Sequence, residues 1–203
     1  MLRRARIAVL VSGGGTNLQA LLDAQRAGKL PHGEIVLVVS SSADAYALTR
    51  ARQAAVPAFA VTAEGAAFEA QLTAYLAEYR VDLIVLAGFL TILSAAFTAR
   101  WPRRILNIHP SLIPAFCGKG MYGLRVHEAA LARGVKVTGA TVHFVNEIPD
   151  GGEILLQKAA EVLPGDTPQT LQRRVMEQCE WQLLPQAAEL LSQEIMKGRE
   201  DTE

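Results

Sequence analysis

The segment Ile7-Ala8-Val9-Leu10-Val11-Ser12-Gly13-Gly14-Gly15-Thr16-Asn17-Leu18 sets the architecture of this chain. Its opening apolar run predicts a strand that is buried on both faces, as in a parallel sheet covered by helices. The glycines end that strand, and Thr16 or Asn17 begins a helix with apolar positions at Leu18, Leu21 and Leu22. A strand, a glycine-rich turn and a helix in this order predict a βαβ unit.

The same alternation continues along the chain. Apolar runs at residues 35–39, 58–61 and 82–86 predict further strands, and residues 43–54 and 68–79 have helical periodicity. We therefore expect an α/β fold with a mostly parallel twisted sheet flanked by helices. Two extended runs, 135–145 and 153–161, predict an antiparallel hairpin near the C-terminal end. Thr167-Pro168 predicts the start of one final helix. Its apolar stripe is Leu171, Val175, Cys179, Leu183, Ala187 and Leu191.

Composition excludes several classes of function. The 203 residues contain 20 basic and 20 acidic side chains, so no net basic field predicts nucleic-acid binding. The longest apolar-rich run, residues 81–93, is too short to span a bilayer, and the N-terminal apolar run is too short for a signal peptide. Cys117 and Cys179 lie far apart, which argues against a zinc site or a disulfide framework. We expect one domain over residues 1–203, with reduced thiols and a cytoplasmic location.

The glycine-rich loop has two interpretations. Free N–H groups and the helix dipole at the start of a helix favour an anion, most often phosphate, and glycines let the backbone approach it closely. The alternative is a plain tight turn. Leu18 stands where a dinucleotide fingerprint needs a third glycine, and no lysine forms a Walker loop. A small phosphorylated metabolite is therefore favoured over NAD or ATP.

Asn107 and His109 are the candidate catalytic pair. Residues i and i+2 of a strand point to the same face, so the two side chains project together and Ile108 faces the core. Pro110 cannot continue a central strand, which places the pair where a strand meets a loop. An amide donor beside an imidazole suits an oxyanion next to a proton transfer.

Other polar residues have a weaker signal. Asp150 precedes Gly151-Gly152 in the tip of the predicted hairpin, where a turn aspartate is the favoured interpretation from composition. The alternative is a carboxylate that keeps His109 charged, because a nearby anion raises the pKa of an imidazole. No partner is assigned to the remaining histidines, which are His32, His127 and His143. After the fourth strand, residues 87–93 are core and turn, or a surface that holds a flat aromatic ring.

Together these motifs resemble the folate-dependent formyltransferase family, over nearly the whole chain from Ile7 to about Leu191. The resemblance rests on five motifs in order: Ser-Gly-x-Gly-[Ser/Thr]-Asn-Leu at residues 12–18, Leu-Ala-Gly-Phe at 86–89, Asn-Ile-His-Pro-Ser-Leu at 107–112, Thr-Val-His-Phe-Val at 141–145 and Asp-Gly-Gly at 150–152. It implies a Rossmann-like fold. The N-terminal half would bind the nucleotide, and the C-terminal half would bind folate and carry out catalysis.

The resemblance also implies an activity and its residues. It implies transfer of a formyl group from 10-formyltetrahydrofolate to the amine of glycinamide ribonucleotide in purine biosynthesis, without a metal, by a monomer or homodimer. Asn107, His109 and Asp150 would be catalytic, which overturns the turn interpretation of Asp150. The nucleotide would bind Gly15, Thr16, Asn17 and Glu180. The folate would bind Leu90, Thr91, Ile92, Leu93, Asn107, Asn146, Glu147, Ile148, Pro149 and Asp150.

The chain departs from the family pattern at two places. Trp181 occupies a position where the family commonly has histidine, and Glu64-Gly65-Ala66 lacks the basic residue with which some members contact the glutamate tail of folate.

The alternative functions are a formyltetrahydrofolate hydrolase and a non-enzymatic nucleotide- or folate-binding module. Hydrolases of the family carry an additional N-terminal domain, and members that act on tRNA carry an additional C-terminal one. We expect neither here.

Overall fold

The computed structural model describes residues 4–200, which form one seven-stranded sheet with helices on both faces. The strands are β1 (Ala5–Val11), β2 (Gly33–Ser40), β3 (Ala58–Ala60), β4 (Leu83–Leu86), β5 (Ile105–His109), β6 (Val137–Phe144) and β7 (Ile154–Glu161). The helices are α1 (Thr16–Arg26), α2 (Tyr46–Gln53), α3 (Gly65–Glu78), α4 (Ala95–Thr98), α5 (Leu124–Arg133), α6 (Pro168–Val175) and α7 (Trp181–Glu200). A π-helical turn (Met176–Glu180) joins α6 to α7.

The strand order is β3-β2-β1-β4-β5-β6-β7. All pairs from β3 to β5 are parallel, whereas β5–β6 and β6–β7 are antiparallel. The predicted mostly parallel sheet and its antiparallel hairpin are both confirmed. Thr16 begins α1, so the predicted helix start after the glycines is also confirmed.

The chain reverses direction across the sheet between β1 and β4. It first builds β1, β2 and β3 towards one edge and then returns to place β4 on the other side of β1. At such a point the connections that follow two neighbouring parallel strands run in opposite directions, and a crevice forms outside the carboxyl ends of these strands. This crevice is the usual ligand site of such folds. Ser12 connects the loop after β1 to the loop after β4. Its N–H donates to Gly88 O (3.1 Å), and its Oγ accepts from Leu90 N (2.9 Å).

Two apolar cores cover the faces of the sheet. On one face, Ile7, Val9 and Val11 pack against residues of α1, α2 and α7. On the other face, Ala8 and Leu10 pack against residues of α3 and α4. Both sides of β1 are therefore buried, as its uninterrupted apolar sequence predicts. Within residues 4–200, no helix is long and apolar enough to cross a membrane.

The C-terminal helix differs from the prediction of one regular element. The predicted apolar stripe repeats every four residues. In an α-helix of 3.6 residues per turn, each such repeat rotates the side chain by about 40° around the helix axis, so a long stripe of this kind turns away from the core. The π-helical turn holds more residues per turn and absorbs part of this drift. Cys179 and Glu180, adjacent in sequence, are consequently both buried. The turn directs Glu180 into the crevice described below.

Candidate active site

Asn107 and His109 lie at the carboxyl end of β5 and line the same cleft, of about 380 Å³. Ile108 between them points away into the apolar core, as the strand alternation predicts. His109 is only 4% exposed. The strand therefore presents an amide and a buried imidazole side by side at the edge of the sheet.

The neighbouring strand β6 adds a residue that sequence reasoning missed. Asn107 pairs directly with His143 in the antiparallel register, and directly paired residues share a face. His143 Nε2 lies 3.1 Å from Asn107 Nδ2, and His143 Nδ1 lies 2.9 Å from the Phe144 carbonyl oxygen. The repeated pattern of Thr-x-His in β6 and Asn-x-His in β5 is a signal for this contact, but only once the register is known.

The loop after β6 carries Asp150 to the same place. Asp150 has a left-handed backbone (φ 56°), and a Cβ at Gly152 would lie 1.7 Å from the Phe144 carbonyl oxygen. Glycine therefore lets the loop fold tightly back over the end of β6. The Asp150 carboxylate lies 3.5 Å from both His109 Nδ1 and His143 Nε2.

The surroundings of Asp150 keep it ionised. Burial alone would raise its pKa, but hydrogen bonds from His143 and the Gly118 N–H (2.8 Å), together with the charges of both imidazoles, hold the pKa of Asp150 below its usual range. The arrangement places the His109 imidazole, held beside an ionised carboxylate, next to the Asn107 amide, which suits stabilisation of a developing oxyanion.

The segment of residues 110–123 covers His109 from the other side. His109 Nε2 lies 2.9 Å from the Phe116 carbonyl oxygen, an acceptor, so this nitrogen carries a hydrogen. His127, on α5, also lines the cleft and is fully buried, and no residue among 4–200 hydrogen-bonds to its ring. Burial, and secondarily the charge of His109, lower the pKa of His127 to about 4. His127 therefore stays neutral at pH 7.

The glycine-rich loop lies across the cleft, at the start of α1. Gly15 caps this helix in a left-handed conformation (φ 72°) without a side-chain hydrogen bond, which leaves first-turn N–H groups available to an anion. A Cβ at Gly15 would lie 2.6 Å from Ala47 Cβ, so α2 packs directly against the loop. Thr16 and Asn17 both line the cleft.

Asn17 and Glu180 form a buried pair between α1 and the π-helical turn. Asn17 Nδ2 donates to Glu180 Oε2 (2.7 Å), while no group within residues 4–200 donates to Asn17 Oδ1. Burial raises the pKa of Glu180 to about 7, although the hydrogen bond from Asn17 opposes the shift. Two polar side chains with spare acceptor capacity thus lie where a polyhydroxylated ligand is expected.

The expected folate contacts divide into two groups. Leu90 and Ile92 are largely exposed and line the cleft together with Asn107, and Pro149 and Asp150 line it from the hairpin side. The other expected residues lie outside the cleft lining: Leu93 is buried in the core under α3, Thr91 is half-buried, and Asn146, Glu147 and Ile148 form the turn that supports Asp150.

A larger groove of about 1030 Å³ lies between α1 and α7 and meets the cleft only at Thr16. We assign the chemistry to the smaller cleft, because Asn107, His109 and Asp150 all line it and none of them lines the groove. Within residues 4–200, no three His, Cys, Asp or Glu side chains are grouped as a metal site, and both Cys117 and Cys179 are free.

Comparison with known proteins gives a consistent result. Residues 5–188 match the protein family described as Formyl transferase. Over 194 residues, the chain is 43% identical to the trifunctional purine biosynthetic protein adenosine-3 of Drosophila melanogaster, covering 93% of this chain but 14% of that protein. Phosphoribosylglycinamide formyltransferase of Haemophilus influenzae is 42% identical over 184 residues, covering 89% of this chain and 84% of the relative.

Solved structures agree with the sequence relatives. The crystal structure of glycinamide ribonucleotide transformylase 1 from Symbiobacterium toebii superposes with a TM-score of 0.86 at 45% identity, covering 94% of this chain and 88% of that one. The similarity therefore extends through the fold as well as the motifs.

Proposed function

The chain belongs to the formyl transferase family, and we propose that it transfers the formyl group of 10-formyltetrahydrofolate to the amine of glycinamide ribonucleotide. The observation that carries this proposal is the convergence of Asn107, His109 and Asp150 in one cleft with the glycine-rich loop. The names of the Haemophilus and Symbiobacterium relatives support the choice of substrate. We infer that residues 1–203 act as one catalytic domain.

The nucleotide would bind at the end of the cleft formed by α1. Its phosphate would accept hydrogen bonds from the N–H groups of Gly15, Thr16 and Asn17, where the helix dipole also favours an anion. Its ribose hydroxyls would donate to Glu180 and to the unused Asn17 Oδ1. These contacts fix the amine beside the formyl donor, and such positioning accounts for a large share of the rate of bimolecular reactions on enzymes.

The folate would bind at the other side of the cleft. Leu90 and Ile92 offer apolar surface at the carboxyl end of β4, and Pro149 faces them from the hairpin loop. A flat pterin ring suits such an opening between a strand end and a loop. The formyl group would then lie near Asn107 and His109, between the two substrates.

Attack of the amine on the formyl carbon creates a tetrahedral oxyanion. His109 would donate to this oxygen through Nε2 once the Phe116 carbonyl, 2.9 Å away, moves aside with residues 110–123. Asn107 would donate to the same oxygen through Nδ2, whose two hydrogens allow it to keep its contact with His143 Nε2 (3.1 Å) or Asp150 Oδ1 (3.5 Å) at the same time. Asp150, 3.5 Å from both rings, would fix their orientation.

Collapse of the intermediate breaks the bond between the formyl carbon and N10 of the folate. The proton that leaves the attacking amine must reach N10, which becomes a secondary amine in the product. Asp150 is the ionised base at the site, and it would pass this proton directly or through water. No metal is needed for these steps, because the imidazolium and the amide stabilise the charge that develops.

A spectrophotometric assay with a 10-formyl folate donor tests the proposal. We expect folate release only when glycinamide ribonucleotide is present, together with formation of one formylated nucleotide per folate released. Release without the nucleotide would instead identify a hydrolase. Binding of both ligands without release would identify a binding module and contradict the proposed transfer.

A further inference from the structure

We propose that Arg50 is a positioning residue for the phosphate of the nucleotide: it holds the glycine-rich loop in shape and brings a positive charge to it. This inference rests on the proposed function, because it concerns the phosphate end of the same site. Arg50 lies on α2, outside every motif by which the sequence indicates the site.

The first argument is the hydrogen bonding of the guanidinium. Arg50 Nε donates to the Gly14 carbonyl oxygen (2.8 Å), and Arg50 Nη1 donates to Gln19 Oε1 (3.0 Å). The first bond fixes the direction of the Gly14 carbonyl, and therefore the plane of the peptide whose N–H belongs to Gly15. The second ties the same side chain to the first turns of α1. A single planar fork thus joins the loop to the helix that follows it.

The second argument is proximity. A Cβ built at Gly15 would lie 3.5 Å from Arg50 Cδ, so the arginine stem reaches the residue that caps α1. Ala47, one turn earlier on α2, donates its N–H to Gly13 O (3.1 Å). The Tyr46 ring lies 5.0 Å from the guanidinium carbon and further restricts its position. Helix α2 therefore delivers the guanidinium to the loop through several contacts.

The third argument is charge. A phosphate monoester carries about −1.5 to −2 charges at pH 7, which is more than the partial charge of a helix N-terminus neutralises. Two of the donor positions of Arg50 are used by Gly14 and Gln19, and a guanidinium has five. Arg50 lines the larger groove, which meets the cleft at Thr16, and its remaining hydrogens would face a phosphate bound at this meeting point, whose oxygens match the arginine fork.

Arg50→Gln and Arg50→Lys separate the positioning role from general stability. For Arg50→Gln we expect the KM for glycinamide ribonucleotide to rise about 10- to 100-fold, the range for loss of a hydrogen bond to a charged group. We expect kcat and the KM for folate to change little. Arg50→Lys keeps the positive charge but loses the planar guanidinium, so its KM for the nucleotide should lie between the values of wild type and Arg50→Gln. The control is Arg52→Gln, because Arg52 is exposed on the same helix.

A second acceptor provides the decisive readout. With glycinamide riboside, which lacks the phosphate, wild type and Arg50→Gln should have the same kcat/KM. An equal loss with both acceptors, or no loss with either, would overturn the proposal. Calorimetric titration with inorganic phosphate gives a readout that needs no turnover, and Arg50→Gln should bind it more weakly than wild type does. If Arg50→Gln binds phosphate more weakly than wild type but wild type transfers no formyl group, the proposed function fails and the assignment of Arg50 stands.

Discussion

The two ends of the cleft satisfy their polar groups in different ways. At the proposed catalytic end, formed by β5 and the loop after β6, the Asp150 carboxylate lies close to two imidazoles and accepts from a backbone N–H, and the Asn107 amide contacts His143. At the proposed nucleotide end, formed by α1 and the π-helical turn, Glu180 is buried against a single neutral amide donor, and Asn17 Oδ1 has no hydrogen-bond partner in the described residues.

This difference indicates which end of the cleft keeps its geometry without a bound ligand. A charged network in which each member has partners can hold its geometry without a ligand. A buried carboxyl group with one neutral donor favours the proton-bearing form, as the raised pKa of Glu180 shows. We therefore expect changes at the catalytic end to act on turnover and changes at the nucleotide end to act on affinity.

The largest effect should come from His109→Ala or Asp150→Asn. Each removes a group to which we assign an action on the transition state, so kcat should fall by about two to four orders of magnitude. Nucleotide affinity, measured by calorimetry, should stay within a few fold of wild type, because neither residue contacts the glycine-rich loop. Near-normal turnover in either variant would rule out the roles assigned to these residues.

At the nucleotide end, Glu180→Gln should act mainly on binding. The glutamine can still accept from Asn17 but lacks the charge that favours donation by ribose hydroxyls. We expect the KM for the nucleotide to rise about tenfold at pH 8, where Glu180 is ionised, with a small change in kcat. If turnover fell more than affinity, the two ends of the cleft would not be separable in this way.

The same variant tests the pKa of Glu180 through stability. A raised pKa means that the folded chain binds the proton more tightly than the unfolded chain. The stabilisation is therefore complete below about pH 4.5 and is lost as the pH rises through about 7. Glutamine does not ionise, so Glu180→Gln should be more stable than wild type at pH 8 by up to about 3 kcal/mol. Urea unfolding should find no such gain at pH 4.5, and equal differences at both pH values would contradict the shift.

Sequence reasoning reached the two ends of the cleft to different extents. The glycine-rich loop, α1 and the pair of Asn107 and His109 follow from local rules, since one strand end and one helix start define each of them. Asp150 does not follow from such rules, because its approach to His109 depends on the tight return of the loop at Gly152. Composition favoured a turn aspartate there, and only the resemblance to a family indicated catalysis.

His143 and Arg50 were missed for a similar physical reason. Contact between His143 and Asn107 requires the register of an antiparallel pair, which is set by the whole hairpin. Arg50 reaches the loop from a helix that is 36 residues away from Gly14 in the chain. The apolar stripe also predicts one continuous final helix, whereas a π-helical turn between α6 and α7 directs Glu180 inwards. Tertiary packing decides all three features.

The smallest effect should come from His143→Gln, which tests how far the catalytic end depends on a buried residue behind the cleft lining. Glutamine removes the imidazole charge near Asp150 while keeping a polar side chain near Asn107. Because Asn107 would be less well oriented, we expect kcat to fall about tenfold with an unchanged nucleotide KM. Since contact with His143 helps to lower the pKa of Asp150, the acidic limb of kcat/KM against pH should move to higher pH. The control is His32→Gln, because His32 pairs with Glu189 outside the cleft. A fall in kcat without movement of the acidic limb would mean that His143 acts on Asn107 alone, and the charge of Asp150 would then depend on His109 and Gly118.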